Sequence, residues 1–110
     1  MSSSTDQVRP LYSSLGGDPE LGEIVDLFVE EMPRRVETLI GQLESSDFEG
    51  LRRTAHQLKG AAGSYGFDPI SPRAAELERT IVGREPEPVI RQAVDELVNI
   101  CNRARGGVPK

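Results

Sequence analysis

The chain has no tryptophan, one cysteine and one histidine among its 110 residues. Each scarcity removes a class of function. The lone thiol, Cys101, excludes an internal disulfide and a cysteine-based zinc site. It falls at a core phase of the last apolar run, so a buried structural thiol is expected. Aromatic residues make up only 5% of the chain and are not interleaved with basic ones. Together with a formal net charge of −5, this argues against nucleic acid as a partner, because a phosphate backbone rewards a basic face. No apolar run approaches the ~18 residues of a membrane span, so no membrane partner is expected. Met1 to Asp6 is polar and Ser-rich, unlike a signal peptide, which makes a reduced, cytoplasmic setting the expectation. There is no internal repeat, and no alternating β-branched run long enough to argue a strand. No Walker-type or kinase glycine loop marks a nucleotide site; Gly16-Gly17 and Gly106-Gly107 read as turn and tail.

What is present is helical periodicity. An apolar content of 36% suffices for one helical bundle at this length. Residues 1–9 read as a disordered lead-in and Pro10 to Leu15 as a short helix. Asp18 then suits an N-cap and Pro19 a first helical residue. Apolar residues recur at Leu21, Val25, Phe28, Met32, Val36, Leu39 and Leu43, in phase across Pro33. The unbroken phase predicts one long helix kinked near that proline. Asp47 is the expected N-cap of a second helix, about Phe48 to Tyr65. A third, about Ile70 to Val82, carries Ile70, Ala74, Leu77 and Ile81 on one face. After the break at Gly83 to Pro88, a fourth runs to about Ala104 and is expected to bury Val89, Ala93, Leu97, Ile100 and Cys101. Residues 106–110 read as a flexible tail. Four amphipathic helices with short connections predict an all-α, antiparallel four-helix bundle spanning residues 10–105.

The single histidine lies in the second helix. At about 100° per residue, Leu51, Ala55, Leu58, Ala62 and Tyr65 form one apolar stripe, and His56 falls off it. Its helical neighbours are Arg52, Arg53, Lys59, Gly60 and Gly63. A neutral imidazole is a competent nucleophile toward phosphorus. Lys59, one turn on, suits a phosphate oxygen. Each of the two glycines costs ~1 kcal/mol of helix stability relative to alanine. Close approach of a bulky partner would explain them, and so would close helix packing.

The run Ala55-His56-x-Leu58-Lys59-Gly60-Ala61-Ala62-x-x-x-Gly66 resembles the signature of histidine-containing phosphotransfer (HPt) domains. Leu11 to Leu21 and Phe28 to Pro33 resemble the family's opening segment and first long helix. The resemblance implies a four-helix phosphorelay carrier with no autonomous kinase activity. His56 is then the phosphoacceptor through Nε2, Lys59 contacts the phosphoryl oxygens, and Gly60 leaves room for the partner's active site. Gly63 also serves access on this reading. Glu78 matches a position from which some relatives bond the imidazole and fix its tautomer. Arg52, Arg53 and Tyr65 are candidates to border the docking surface, as are Leu15 and Phe67. The implied partners are receiver domains, which carry the phospho-aspartate and Mg²⁺; no cofactor of the chain's own is implied.

Two alternatives stay open from sequence. One is an adaptor that docks receivers without taking phosphate. The other is a phosphotransfer domain loaded directly by a histidine-kinase catalytic domain. The polar start and tail favour a freestanding protein. The small spare apolar surface favours a monomer.

Overall fold

The computed structural model describes residues 9–109. Four helices carry the fold: α1 (Gly22–Glu44), α2 (Phe48–Ser64), α3 (Ile70–Val82) and α4 (Glu87–Cys101). Consecutive helices pack on each other and α4 closes back on α1, with α2 and α3 making the most extensive pair. The short connections make neighbours antiparallel, as the spacing predicts.

The helix ends follow from local chemistry. Asp18 Oδ1 accepts from the backbone N–H groups of Glu20 and Leu21 at 2.7 and 2.9 Å. Its carbonyl accepts from Gly22 at 2.9 Å, so Asp18 closes the turn before α1, while the helix itself starts at Gly22 rather than at Pro19, with Leu21 at its N-cap and no side-chain cap. Asp47 caps α2, accepting from Gly50 N–H at 3.0 Å. Helix α1 remains helical through Pro33, although the proline ring removes one backbone donor. At the end of α2, Phe67 N–H reaches the Ala62 carbonyl at 2.8 Å and Gly66 N–H the Gly63 carbonyl at 3.3 Å. This paired closure needs a left-handed residue, and Gly66 supplies it with φ +81°.

The core is one cluster in which all four helices take part. Leu51, Ala55, Leu58 and Ala62 of α2 face Ile70, Ala74 and Leu77 of α3, all fully buried. Cys101 is buried as expected, and burial pushes its thiol up to about 12. On α4, Ala93, Leu97, Ile100 and Cys101 are buried as the sequence predicts, and only the first expected position differs. Ile90 and Val94 are buried, whereas Val89 is exposed. Both Val89 and Ile90 are apolar, so the local pattern does not distinguish them; packing against α3 and α1 selects the second.

The expected short helix over Pro10–Leu15 is not formed. Leu11–Tyr12 is instead a short strand, β1, paired in parallel with Ala104–Arg105, β2. Leu11 N–H donates to the Arg103 carbonyl at 2.6 Å, and Ser14 N–H to the Gly66 carbonyl at 3.0 Å. Ser13 Oγ donates to the Tyr65 carbonyl at 2.5 Å. A six-residue helix is marginal by itself, and here the segment's donors find partners across the chain. The tail expected to be free from residue 106 is packed on the bundle over residues 106–108, with Gly106 beside Asp26 of α1, Gly107 beside Gly16 and Val108 beside Gly17. The disordered lead-in expected at residues 1–9 lies outside the described residues apart from Arg9, whose carbonyl accepts from Arg103 Nε at 2.8 Å.

Leu58 is wholly enclosed directly behind the histidine-bearing face. Leu58→Ala is expected to lower unfolding stability by about 2–5 kcal/mol. Urea denaturation checks this; an unchanged midpoint would contradict the packing described.

Candidate functional site

α2 presents His56 outward, with its side chain 62% exposed, while its neighbours Ala55 and Leu58 are fully buried. α3 packs close beside it, and Gly63 of α2 lies opposite Ser71 of α3, where an added Cβ would touch the hydroxyl at 3.5 Å. Ser71 of α3 ties the seam by donating its hydroxyl to the Lys59 carbonyl at 2.8 Å. That approach brings one carboxylate, Glu78, across to α2.

Glu78 is shared. Its Oε2 lies 3.0 Å from His56 Nδ1, and its Oε1 accepts from Lys59 Nζ at 3.1 Å. The Lys59 ammonium, and then the His56 ring, hold the Glu78 carboxyl below its usual range against the opposing effect of burial. An ionised carboxylate only accepts, so a proton on Nδ1 suits this contact, and a ring that carries its single proton there keeps the lone pair on Nε2. Among the described residues Nε2 has no hydrogen-bond partner. Arg52 is paired to Glu49 at 2.6 Å, and its second terminal nitrogen lies 4.0 Å from Glu78 Oε2.

The other residues singled out from sequence separate by position. Gly60 faces open space: a Cβ built there meets nothing within 4 Å. Gly63 lies toward α3, where an added Cβ would touch Ser71 Oγ at 3.5 Å, an ordinary contact. Arg53 is exposed. Tyr65 ends α2 half-buried, its ring 5.0 Å from that of Phe28 and so on the core side rather than beside His56. Phe67, considered for docking, is fully buried, with its ring stacked 5.5 Å from Phe28. The closure that turns the chain at Gly66 carries Phe67 inward, an effect that helical phase does not foresee. Leu15 is partly buried against the core. Ser71 was missed; it stands 12 residues from Lys59, beyond any local sequence pattern.

This is a face rather than a pocket. A cavity of about 360 Å³ lies elsewhere, between α3 and α4, and is lined by Arg73, Gln92, Asp95, Glu96 and Asn99. Among the described residues no group of three or more His, Cys, Asp or Glu side chains is placed to hold a metal ion, and no helix is long and apolar enough to cross a membrane. An exposed imidazole on an open helix suits a macromolecular partner, since small substrates are ordinarily held in concave sites.

A four-helix bundle with one outward histidine, backed by a carboxylate from the next helix, has the form of a phosphotransfer module. Residues 23–107 match the family model described as the Hpt domain, and the chain belongs to that family. Hpt domains serve histidine phosphotransfer in two-component phosphorelays and interact there with receiver domains. No curated protein and no solved structure shows a significant match to the chain.

The lowered Glu78 carboxyl links the site to stability. A depressed carboxyl contributes stability that is full above the unfolded value of about 4.3 and is lost as pH falls through the native one. Wild type is therefore expected to exceed Glu78→Gln in melting temperature at neutral pH, with the gap closing below about pH 4.3. Thermal unfolding across the acid range checks this; a gap that persists at the acid end would contradict the pairing.

Proposed function

We propose that the chain is a monomeric phosphohistidine carrier, in which His56 Nε2 takes a phosphoryl group from a receiver's phospho-aspartate and passes it to another receiver. The observation that carries this reading is the Nδ1 contact with Glu78, which leaves Nε2 unpartnered on the exposed side of α2. In the forward step the Nε2 lone pair forms the N–P bond while the P–O bond to the aspartate breaks and its electron pair stays with the carboxylate. The proton stays on Nδ1, and the positive charge that develops on the ring is met by Glu78. The reverse steps regenerate the neutral ring on delivery to the next aspartate. Phosphoryl transfer asks chiefly for position and charge stabilisation, which a rigid helix and a nearby ammonium supply. Magnesium and its acidic ligands belong to the receiver, where the ion offsets charge on the acyl phosphate.

Gly60 supports the same reading, because its open flank leaves space for a partner surface to approach the imidazole. Arg52 and Arg53 add cationic rim to the docking surface. Apolar ground for it lies on α1, where Ile24 and Leu27 are 41% and 58% exposed. Leu27 shares its helical phase with Glu31 and Arg34, which line a groove against Thr54 and Gln57 of α2.

Incubation with phosphorylated receivers is expected to place acid-labile, base-stable phosphate on the wild type and none on His56→Gln. Wild type left unlabelled by every receiver of its genome would reject the relay; labelling by a kinase catalytic domain alone would reassign the donor. Gly60→Phe is expected to keep the helical signal and to slow receiver transfer at least ~10-fold by displacing the partner. Labelling of that variant by phosphoramidate, a donor too small to need the space, is expected to stay near wild type. Equal losses with both donors would contradict the access role.

A further inference from the structure

Glu78 serves two groups at once, and both stand on α2: His56 on Oε2 and Lys59 on Oε1. A third, Arg52, waits at 4.0 Å from Oε2, just beyond hydrogen-bond range. Three successive turns of α2 thus direct Arg52, His56 and Lys59 at a single carboxylate of α3. At rest the two cations share two carboxylates, Arg52 on Glu49 and Lys59 on Glu78, and the proposed reaction adds a further anion at Nε2.

We propose that Glu78 holds Lys59 in reserve: when a phosphoryl group arrives on His56, Lys59 leaves Glu78 for the phosphoryl oxygens, and Arg52 takes its place on the carboxylate. The inference rests on His56 being the phosphoacceptor and adds the regulation of charge at that site.

Reach and charge both favour the exchange. Residues three apart on a helix have Cβ atoms ~5–6 Å apart, so a lysine ammonium can swing from a point beside Nδ1 to one beside Nε2. The Lys59 side chain is 38% exposed, which leaves it room to do so. Lysine is a compact charge on a flexible stem, suited to moving between anions. A phosphoryl group carries nearly two negative charges and outcompetes a carboxylate for it. Departure of Lys59 would leave Glu78, only 18% exposed, with the ring on Oε2 but with Oε1 unpaired beside a new dianion. Arg52 can supply that charge because its present partner, Glu49, is 64% exposed and such surface pairs hold weakly. The exchange moves no proton: the N–P bond forms on Nε2, the donor's bond to phosphorus breaks with its electron pair, and Nδ1–H stays on Glu78.

The test uses the full chain and phosphoramidate, whose P–N bond breaks with loss of ammonia and which needs no docking surface. Side-chain ¹⁵N spectra of lysine and arginine are recorded before and after loading, with ³¹P spectra to register phosphohistidine. Before loading, the Lys59 Nζ signal is expected to differ between wild type and Glu78→Gln. After loading, the two are expected to converge on one phosphoryl-bound position. The Arg52 guanidinium signals are expected to shift on loading in wild type and to stay put in Glu78→Gln. A Lys59 signal that keeps its resting position in loaded wild type would overturn the proposal, as would Arg52 signals that ignore loading. Both readouts exist in wild type alone, so the test stands even where the variant folds poorly. Absence of any phosphohistidine signal would overturn the underlying assignment of His56 as well, which separates the two failures.

Discussion

The close seam between α2 and α3 is the constraint on which the site depends. The Ser71 hydroxyl bonds the Lys59 carbonyl across the gap at 2.8 Å, and Gly63, without a side chain, lies opposite Ser71. Only with the helices this near can a glutamate on α3 reach a histidine and a lysine on α2. A bulkier seam would leave the imidazole free to rotate, with either nitrogen presented to a partner. On the proposed reading, the packing of the two helices thereby sets which imidazole nitrogen is left to react.

The same seam divides labour between core and face. Leu51, Ala55, Leu58 and Ala62 are buried to completion, so α2 behaves as a rigid mount. His56, Lys59 and Gly60 occupy the opposite side and contribute little to the core. A family that must present one histidine to different receivers benefits from this separation, because the exposed face can vary without disturbing the fold. The helix is fixed at both ends: Asp47 caps its start, and Gly66 closes its end where the Ser13 and Ser14 segment binds it.

Much of this was legible in the sequence. The four helices, the cap at Asp47, the outward phase of His56 and its nearness to Lys59 all follow from periodicity and local chemistry. Glu78 was reached through family resemblance, and its distance to the imidazole required the packing of two helices. The terminal strands were not legible, because pairing Leu11 with Ala104 depends on where the bundle brings the two ends together. Nor was the burial of Ile90 in place of Val89, or of Phe67, since each is decided by a neighbouring element rather than by its own run.

The central claim is that Nδ1 is held by Glu78 and that Nε2 is the atom that reacts. Long-range ¹H–¹⁵N spectra of the His56 ring test it most directly, recorded before and after phosphorylation by a receiver. The account predicts a proton on Nδ1 in the resting protein and a ³¹P–¹⁵N coupling at Nε2 in the phosphorylated one. A resting proton on Nε2, or phosphorus coupled to Nδ1, would contradict it.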